Sequence, residues 1–220
     1  MEKKENLLGY SINSLEVFFA SINEPKFRAK QVLKWIHQKG IIDFSQMTDL
    51  NKLLREKLES IACIIPPEVE EIHSSPEGTK KYLIKLSSGS MVEMVKIPEK
   101  KRLTLCRSSQ AGCALQCTFC ATGAQGFEKN LTADEIIGQV WLANFHEDDV
   151  TPITNVVFMG MGEPLLNFNP VIESAKIMKD QMAYGLSRKR ITISTSGITP
   201  QIDKLSESID VSLAISLHAP

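Results

Sequence analysis

The chain has 220 residues, of which 43% are hydrophobic and 23% charged, and its formal net charge at pH 7 is −1. This composition provides enough apolar side chains for a buried core, which excludes a disordered tail or a fibre. A net charge so close to zero gives no general attraction to nucleic acid, so any RNA contact must come from a local basic surface.

The sequence shows neither a signal peptide nor a membrane-spanning segment. The amino terminus lacks the apolar segment of a signal peptide, and no run of about 18 apolar residues occurs anywhere, which predicts a cytoplasmic protein. Four of the five cysteines lie between positions 106 and 120, and such clustering in a reducing compartment is typical of metal or redox chemistry. Cys63 stands alone and is predicted to be a small buried side chain.

The first 70 residues are predicted to form a helical domain. Ser14 is placed to cap a helix over LEVFFASI, and Pro25 lies in the first turn of a helix that runs to Gly40. A third helix is expected after Thr48. Its predicted buried stripe consists of Leu50, Leu53, Leu54, Leu58 and Ile61.

Residues 71–101 are predicted to form a linking β-hairpin, because KKYLIKL and MVEMVKIP flank the turn-forming SSGS. From residue 102 to residue 220, strands alternate with helices. The strands are LTLCRSSQ, NVVFMG, RITISTSG and VSLAISLH. Helices are expected to begin at Thr132, with Glu135 completing a capping box, at Asn169 with Pro170 in the first position, and at Thr199.

Four apolar strands separated by helices predict an α/β fold with a parallel sheet or barrel. A (β/α) barrel cannot close on four strands, and the chain stops directly after the fourth. We therefore expect a small helical domain followed by a partial barrel whose carboxy-terminal strands are missing.

Cys113, Cys117 and Cys120 form the pattern CxxxCxxC in the loop after the first strand of this series. Thiolates are the usual ligands of iron-sulfur clusters, and three ligands on a [4Fe-4S] cluster leave one iron open. A zinc site is the alternative, but it would need a fourth ligand such as Cys106 or a histidine, and zinc sites commonly use CxxC pairs.

CxxxCxxC followed by MGMGEP, STSG and SLHAP resembles the radical S-adenosylmethionine (SAM) adenine-C2 RNA methyltransferases, and the resemblance covers nearly the whole chain. It implies a [4Fe-4S] cluster whose open iron is chelated by SAM. It also implies methylation of adenosine in 23S ribosomal RNA and transfer RNA by a monomeric enzyme, with an electron donor such as flavodoxin or ferredoxin.

The resemblance also implies a set of SAM contacts at the carboxyl ends of the strands, where ligands of such sheets bind. Gly162 and Glu163 would meet the methionyl amino end of SAM. The positions implied for its carboxylate, ribose and adenine are Ser194, Ser216, Leu217 and His218. The alternative is that the two serines satisfy backbone groups and that the histidine packs under a loop.

Strand alternation places Glu93 on the same face as Met91, Val95 and Ile97, which predicts a buried carboxylate with a raised pKa, suited to a general base. In the resembling family this glutamate takes the proton from the adenine carbon that is methylated. The alternative is a structural pair with an arginine or lysine. Cys106 matches the family cysteine that resolves an enzyme–RNA link by forming a disulfide; alternatively it is a packed strand cysteine.

One departure from the family limits what this chain can do. The family's methyl-carrying cysteine lies in the carboxy-terminal part, and no cysteine follows Cys120 here. The chain is therefore expected to hold the cluster and part of the SAM site without completing the two-cysteine cycle. Two other readings stay open: methylation at carbon 8 of the same ribosomal adenosine, and a non-catalytic cluster-bearing or RNA-binding fragment.

The helix between Pro25 and Gly40 is rich in basic side chains and contains no acidic one, so it is a candidate RNA contact. Its basic residues are Lys26, Arg28, Lys30, Lys34, His37 and Lys39, and its predicted core stripe is Phe27, Val32, Leu33 and Ile36. The basic tracts at 100–102 and 188–190 would extend this surface. Charge runs are also commonly just solvated faces.

Overall fold

The computed structural model describes residues 4–147 and 151–217, which contain seven α-helices and eleven strands. The helices are α1 (Ile12–Ser21), α2 (Phe27–His37), α3 (Lys52–Ile61), α4 (Ala121–Ala124), α5 (Ala133–Phe145), α6 (Phe168–Lys179) and α7 (Thr199–Ser208). The strands are β1 (Glu5–Asn6), β2 (Ala62–Cys63), β3 (Glu68–Ser74), β4 (Lys80–Lys85), β5 (Met91–Glu99), β6 (Arg102–Cys106), β7 (Gln110–Gly112), β8 (Phe127–Asn130), β9 (Asn155–Phe158), β10 (Ile191–Thr195) and β11 (Ser212–Ile215).

Seven of these strands form one sheet in the order β11-β10-β9-β6-β5-β4-β3. Strands β6, β9, β10 and β11 are parallel, as the alternation of strands and helices predicts. The predicted hairpin is confirmed as β4 and β5, and β5 pairs antiparallel with β6, so the hairpin and the parallel strands share one sheet. The edge strand β3 was not predicted, because it is exposed along nearly its whole length and lacks apolar alternation.

The cap of helix α1 lies three residues earlier than predicted. Ser11 caps α1 by accepting a hydrogen bond from the N–H of Ser14, so the prediction of Ser14 as the cap was wrong. In α3 the predicted stripe is right for Leu54 and Leu58, but Leu53 is 78% exposed. Cys63, predicted to be buried, is only partly buried.

Helix starts in the second part of the chain follow local sequence closely. The capping box of Thr132 and Glu135 opens α5, and α7 begins at Thr199, as predicted. Helix α6 begins at Phe168 rather than at Asn169, because a 3-10 turn over Pro164–Asn167 runs directly into it. Pro170 therefore lies within the first turn, where its missing N–H costs no helical hydrogen bond.

The helical domain packs on α5 and on the segment after α6. The indole N–H of Trp141 donates to the carbonyl of Ile36 at 3.0 Å, and Nδ1 of His37 lies 3.0 Å from the Tyr184 hydroxyl. His37 is 2% exposed, and burial lowers its pKa to about 3, an effect that the carbonyl of Leu8 partly offsets. The imidazole is therefore neutral at physiological pH. No helix among the described residues is long and apolar enough to cross a membrane.

His37 should make the protein less stable in mild acid. Its pKa is lowered to about 3 in the folded protein, whereas an unfolded histidine titrates near 6.5, so below pH 6.5 the unfolded chain binds an extra proton. This group alone should reduce the free energy of unfolding by about 2 kcal/mol between pH 8 and pH 5. Urea unfolding of the protein and of His37→Gln at both pH values isolates the effect, and equal pH dependence of the two proteins would contradict it.

Candidate functional site

The carboxyl ends of β6, β9, β10 and β11 meet at one edge of the sheet, since these strands are parallel and adjacent. The cysteine loop follows β6, MGMGEP follows β9, STSG follows β10, and Ser216 with Leu217 follow β11. The N–H of Ser216 donates to the carbonyl of Thr195 at 2.9 Å, which joins the last two of these segments. His218, also predicted for this site, lies outside the described residues.

The segment from Arg107 to Gln110 connects Cys106 to the cysteine loop, and all four of its side chains are buried. The hydroxyl of Ser108 donates to the carbonyl of Glu93 at 2.6 Å and accepts the N–H of Met161 at 3.0 Å. The side-chain amide of Gln139 binds both the N–H and the carbonyl of Ser108, each at 2.9 Å. The approach to the cysteine loop is therefore fixed to β5, to the loop after β9 and to α5.

Gln110 joins the cysteine loop to the glycine-rich loop after β9. Its side-chain oxygen accepts the N–H of Glu163 at 2.9 Å and that of Ala114 at 3.5 Å, and its amide nitrogen donates to Asn130 at 2.8 Å. Gly162 has φ +94°, and a Cβ there would lie 2.4 Å from the Cβ of Gln110, so only glycine fits. No functional role was predicted from the sequence for segment 107–110. The signal that could have indicated one is the polar run RSSQ at the end of an apolar strand.

The carboxylate of Glu163 connects the ends of β9 and β10. One oxygen accepts the N–H of Leu165 at 3.0 Å, and the other accepts the N–H and hydroxyl of Ser196 at 2.9 and 3.2 Å. Glu163 is 4% exposed. A carboxylate has about four acceptor positions, so three bonds leave capacity for one further donor. Contact with SAM at Gly162 and Glu163 stays a prediction.

The remaining predicted SAM contacts differ in burial. Ser194 is buried, and its hydroxyl donates to the carbonyl of Phe158, which matches the alternative that it satisfies a backbone group. Ser216 and Leu217 are exposed, with Leu217 83% exposed. Their roles stay predictions.

Cys113, Cys117 and Cys120 lie in the loop between β7 and β8. Gly112, at φ +70°, closes the base of the loop, because a Cβ there would lie 1.9 Å from the carbonyl oxygen of Gly126. All three thiols are free and partly buried. Within residues 4–147 and 151–217, no three His, Cys, Asp or Glu side chains are close enough to hold a metal ion. Three free thiols in one short loop fit the donor set of a [4Fe-4S] cluster, but they do not converge here.

Glu93 is not the buried carboxylate that strand alternation suggested. The buried face of β5 carries Val92, Met94 and Lys96, so Glu93 lies on the opposite, more open face. Its side chain is 46% exposed and its carboxylate pairs with Lys81 at 3.0 Å. The prediction of burial was therefore wrong, and the contact is the lysine pair considered as the alternative.

Cys106 shares its sheet face with Glu93. The register pairs Val95 with Cys106, which makes Glu93 a diagonal neighbour of Cys106 at roughly 7–8 Å between Cα atoms. Burial raises the pKa of the Cys106 thiol, and a backbone hydrogen bond from Met159 partly offsets the change. The group is thus a thiol near neutral pH.

Helix α2 presents a basic face that differs in part from the prediction. The exposed lysines on this segment are Lys26, Lys30, Lys34 and Lys39. His37 is buried and neutral, so its assignment to an RNA contact was wrong. Val32, Leu33 and Ile36 are buried as predicted, whereas Phe27 is 56% exposed and lies under the guanidinium of Arg28.

Replacing Gln110 should loosen the connection between the two loops. Gln110→Met keeps the side-chain length but removes the acceptor for the buried N–H of Glu163, which should lower the free energy of unfolding by about 1–3 kcal/mol. Hydrogen exchange at the Glu163 amide should accelerate. Gln125→Met, at an exposed position of the cysteine loop, is the matched control and should change neither quantity. Equal exchange rates in the two variants would refute the role of Gln110.

Two family models match the chain: the ribosomal RNA large subunit methyltransferase N-terminal domain over residues 5–64, and the radical SAM superfamily over residues 108–220. The dual-specificity RNA methyltransferase RlmN of Pseudomonas putida is 59% identical over 99% of this chain and 58% of its own length. The RlmN of Marinobacter nauticus is 54% identical over 99% of this chain and 60% of its own length.

A solved structure agrees with these matches. The crystal structure of a radical SAM methyltransferase from Sphaerobacter thermophilus superposes on this chain with a TM-score of 0.89 and 36% sequence identity. The match covers 98% of this chain and 64% of that one. This chain thus spans about three fifths of the length of the curated relatives it matches. Membership of the superfamily implies a [4Fe-4S] cluster and SAM as cofactors. The chain belongs to the radical SAM superfamily, and its amino-terminal residues match the N-terminal domain of ribosomal RNA large subunit methyltransferases.

Proposed function

We propose that this chain is part of a cytoplasmic, monomeric enzyme that methylates carbon 2 of adenosine in 23S ribosomal RNA and in transfer RNA. The observation that carries the proposal is the link between the CxxxCxxC loop and the glycine-rich loop through Gln110. A link between these two loops supports a shared site, because α/β sheets bind ligands at the carboxyl ends of their strands and the cysteine loop carries three free thiols. The relatives called dual-specificity RNA methyltransferases support the reaction class.

Cys113, Cys117 and Cys120 would hold the [4Fe-4S] cluster through their thiolates. When bound, this cluster supplies the electron that cleaves SAM, and a flavodoxin or ferredoxin would deliver that electron. Cys113 is positioned by its N–H bond to the carbonyl of Gly126 at 2.9 Å, and Cys120 by its N–H bond to the carbonyl of Cys117 at 3.0 Å. The loop therefore fixes backbone positions while its thiols remain available to ligate.

Gly162 and Glu163 would receive the amino end of SAM, because the glycine brings backbone close to a ligand and the carboxylate has one acceptor position left. Ser194, Ser216, Leu217 and His218 would contact the carboxylate, ribose and adenine. Ser194 can use its free lone pairs while its hydroxyl hydrogen stays on the carbonyl of Phe158.

Cys106 and Glu93 would act on the RNA side of the site, since they share one open sheet face. Glu93 would take the proton from the methylated carbon, and its carboxylate must then exchange Lys81 for the substrate. Cys106 would first lose its proton and then attack, as a thiolate, the sulfur of the methyl-carrying cysteine that the family has beyond this chain. The disulfide would form as the bond between that sulfur and the transferred carbon breaks, and the electron pair left on this carbon would take up a proton to give the methyl group of the released base. The lysines of α2 would contact RNA phosphates.

Anaerobic reconstitution tests the cluster. The protein should bind about four iron and four sulfide per chain, with a visible spectrum that SAM perturbs. Cys113→Ser, Cys117→Ser and Cys120→Ser should each lose the cluster, whereas Cys63→Ser, in β2 of the helical domain, should retain it. Colourless, zinc-loaded protein would overturn the proposal.

Glu93→Gln and Cys106→Ser should separate SAM cleavage from RNA methylation in the full-length protein. Neither residue lies in the cysteine loop or the glycine-rich loop, so formation of 5′-deoxyadenosine should persist while methylated RNA falls by roughly 100-fold or more. Chromatography of both products is the measurement. Loss of SAM cleavage in either variant would contradict the assigned roles. Mass and position analysis of the modified nucleoside distinguishes carbon 2 from carbon 8.

A further inference from the structure

The two basic tracts outside the helical domain meet at the amino edge of the sheet, opposite the candidate site. Tract 100–102 leads into β6, and tract 188–190 leads into β10. The guanidinium of Arg190 donates to the carbonyl of Thr154 at 3.0 Å, and Thr154 lines a cavity together with residues 100–102. Because β6 has five residues, this edge lies about 17 Å from the carboxyl edge.

The cavity at this edge has a volume of about 510 Å³, which is in the range of ligand-binding pockets. Its lining includes the apolar side chains of Pro98 and Leu103 and the hydroxyl of Thr151. Among the described residues that line it, five cations face two carboxylates, which sum to a charge of +3. These residues are Lys80, Lys96, Lys100, Lys101, Arg102, Glu99 and Glu147.

One carboxylate holds two of the lysines in place. Glu147 accepts from Lys80 at 2.7 Å and from Lys96 at 3.1 Å, and Lys96 is only 8% exposed. Burial alone would raise the pKa of Glu147, but the two lysines lower it to about 2. A lysine amine has three donors, so each keeps hydrogens that can turn toward the cavity.

The remaining three cations differ in availability. Arg102 pairs with Glu99. Lys100 and Lys101 are exposed, and among the described residues no carboxylate lies within ion-pair distance of either. Within the described part of the chain, the cavity thus combines two lysines that Glu147 holds with two exposed lysines outside any ion pair. This arrangement favours an anion with several oxygen atoms.

We propose that this cavity binds phosphate groups at a site separate from the catalytic edge. We favour the RNA backbone as the molecule that carries these phosphates, because tract 188–190 extends the basic surface beyond the size of one phosphate group. This choice of RNA rests on the proposed function. The site anchors RNA at a distance from the reacting adenosine and contributes affinity without base specificity.

The double variant Lys100→Ala/Lys101→Ala tests the site, with Lys85→Ala/Lys204→Ala as a control of equal charge change outside the cavity. Fluorescence anisotropy of labelled transfer RNA is measured from 50 to 200 mM salt, and calorimetry measures pyrophosphate binding. In the cavity variant the slope of log K against log salt should shrink by about 1.5–2, and pyrophosphate affinity should fall at least fivefold. The control should match the unmodified protein.

The result also identifies the ligand. A changed salt slope supports the RNA backbone, whereas loss of pyrophosphate binding with an unchanged slope supports the phosphate site and assigns it to a small phosphate compound. If the cavity variant changes neither the salt slope of RNA binding nor the affinity for pyrophosphate, the proposal is overturned. The same measurements on Cys113→Ser keep the two proposals apart, since the lysine effect should persist in protein that has lost the cluster.

Discussion

Between Cys106 and Cys113 the chain passes through four buried polar residues, and the position of the site depends on their hydrogen bonds. Arg107 donates to the carbonyl of Ile136 and to the hydroxyl of Ser174, and its guanidinium lies 3.7 Å from the centre of the Phe158 ring. A buried polar group without a partner costs about 1–3 kcal/mol, so this segment has few alternative positions. It therefore fixes where the cysteine loop begins relative to α5, α6 and the loop after β9.

Residues that the family resemblance assigns to SAM also hold the strand ends together. Glu163 binds backbone N–H groups after β9 and β10, and Ser194 binds the carbonyl of Phe158 across the same two strands. A carboxylate held by two loops is already oriented before any ligand arrives, which lowers the entropic cost of binding. Structural and ligand-binding roles are thus compatible at these positions.

The two edges of the sheet have different chemistry. The cysteine loop, the glycine-rich loop and the Glu163 carboxylate follow the carboxyl ends of the strands, whereas the exposed lysines of the cavity lie at the amino edge. Separation by about 17 Å allows a long polyanion to be held at one edge while the other edge remains open.

Local sequence determined that most of the helices and the four apolar strands form, and it determined the capping box at Thr132, because these features depend on neighbours within a few residues. It did not determine the exposure of Glu93, since apolar residues occur on both faces of β5 and only the tertiary packing decides which face is buried. The burial of His37 arises from Leu8 and Tyr184, which are distant in sequence. The hydrogen bonds of segment 107–110 and the basic cavity likewise required tertiary structure, because their partners come from strands and helices far apart in the chain.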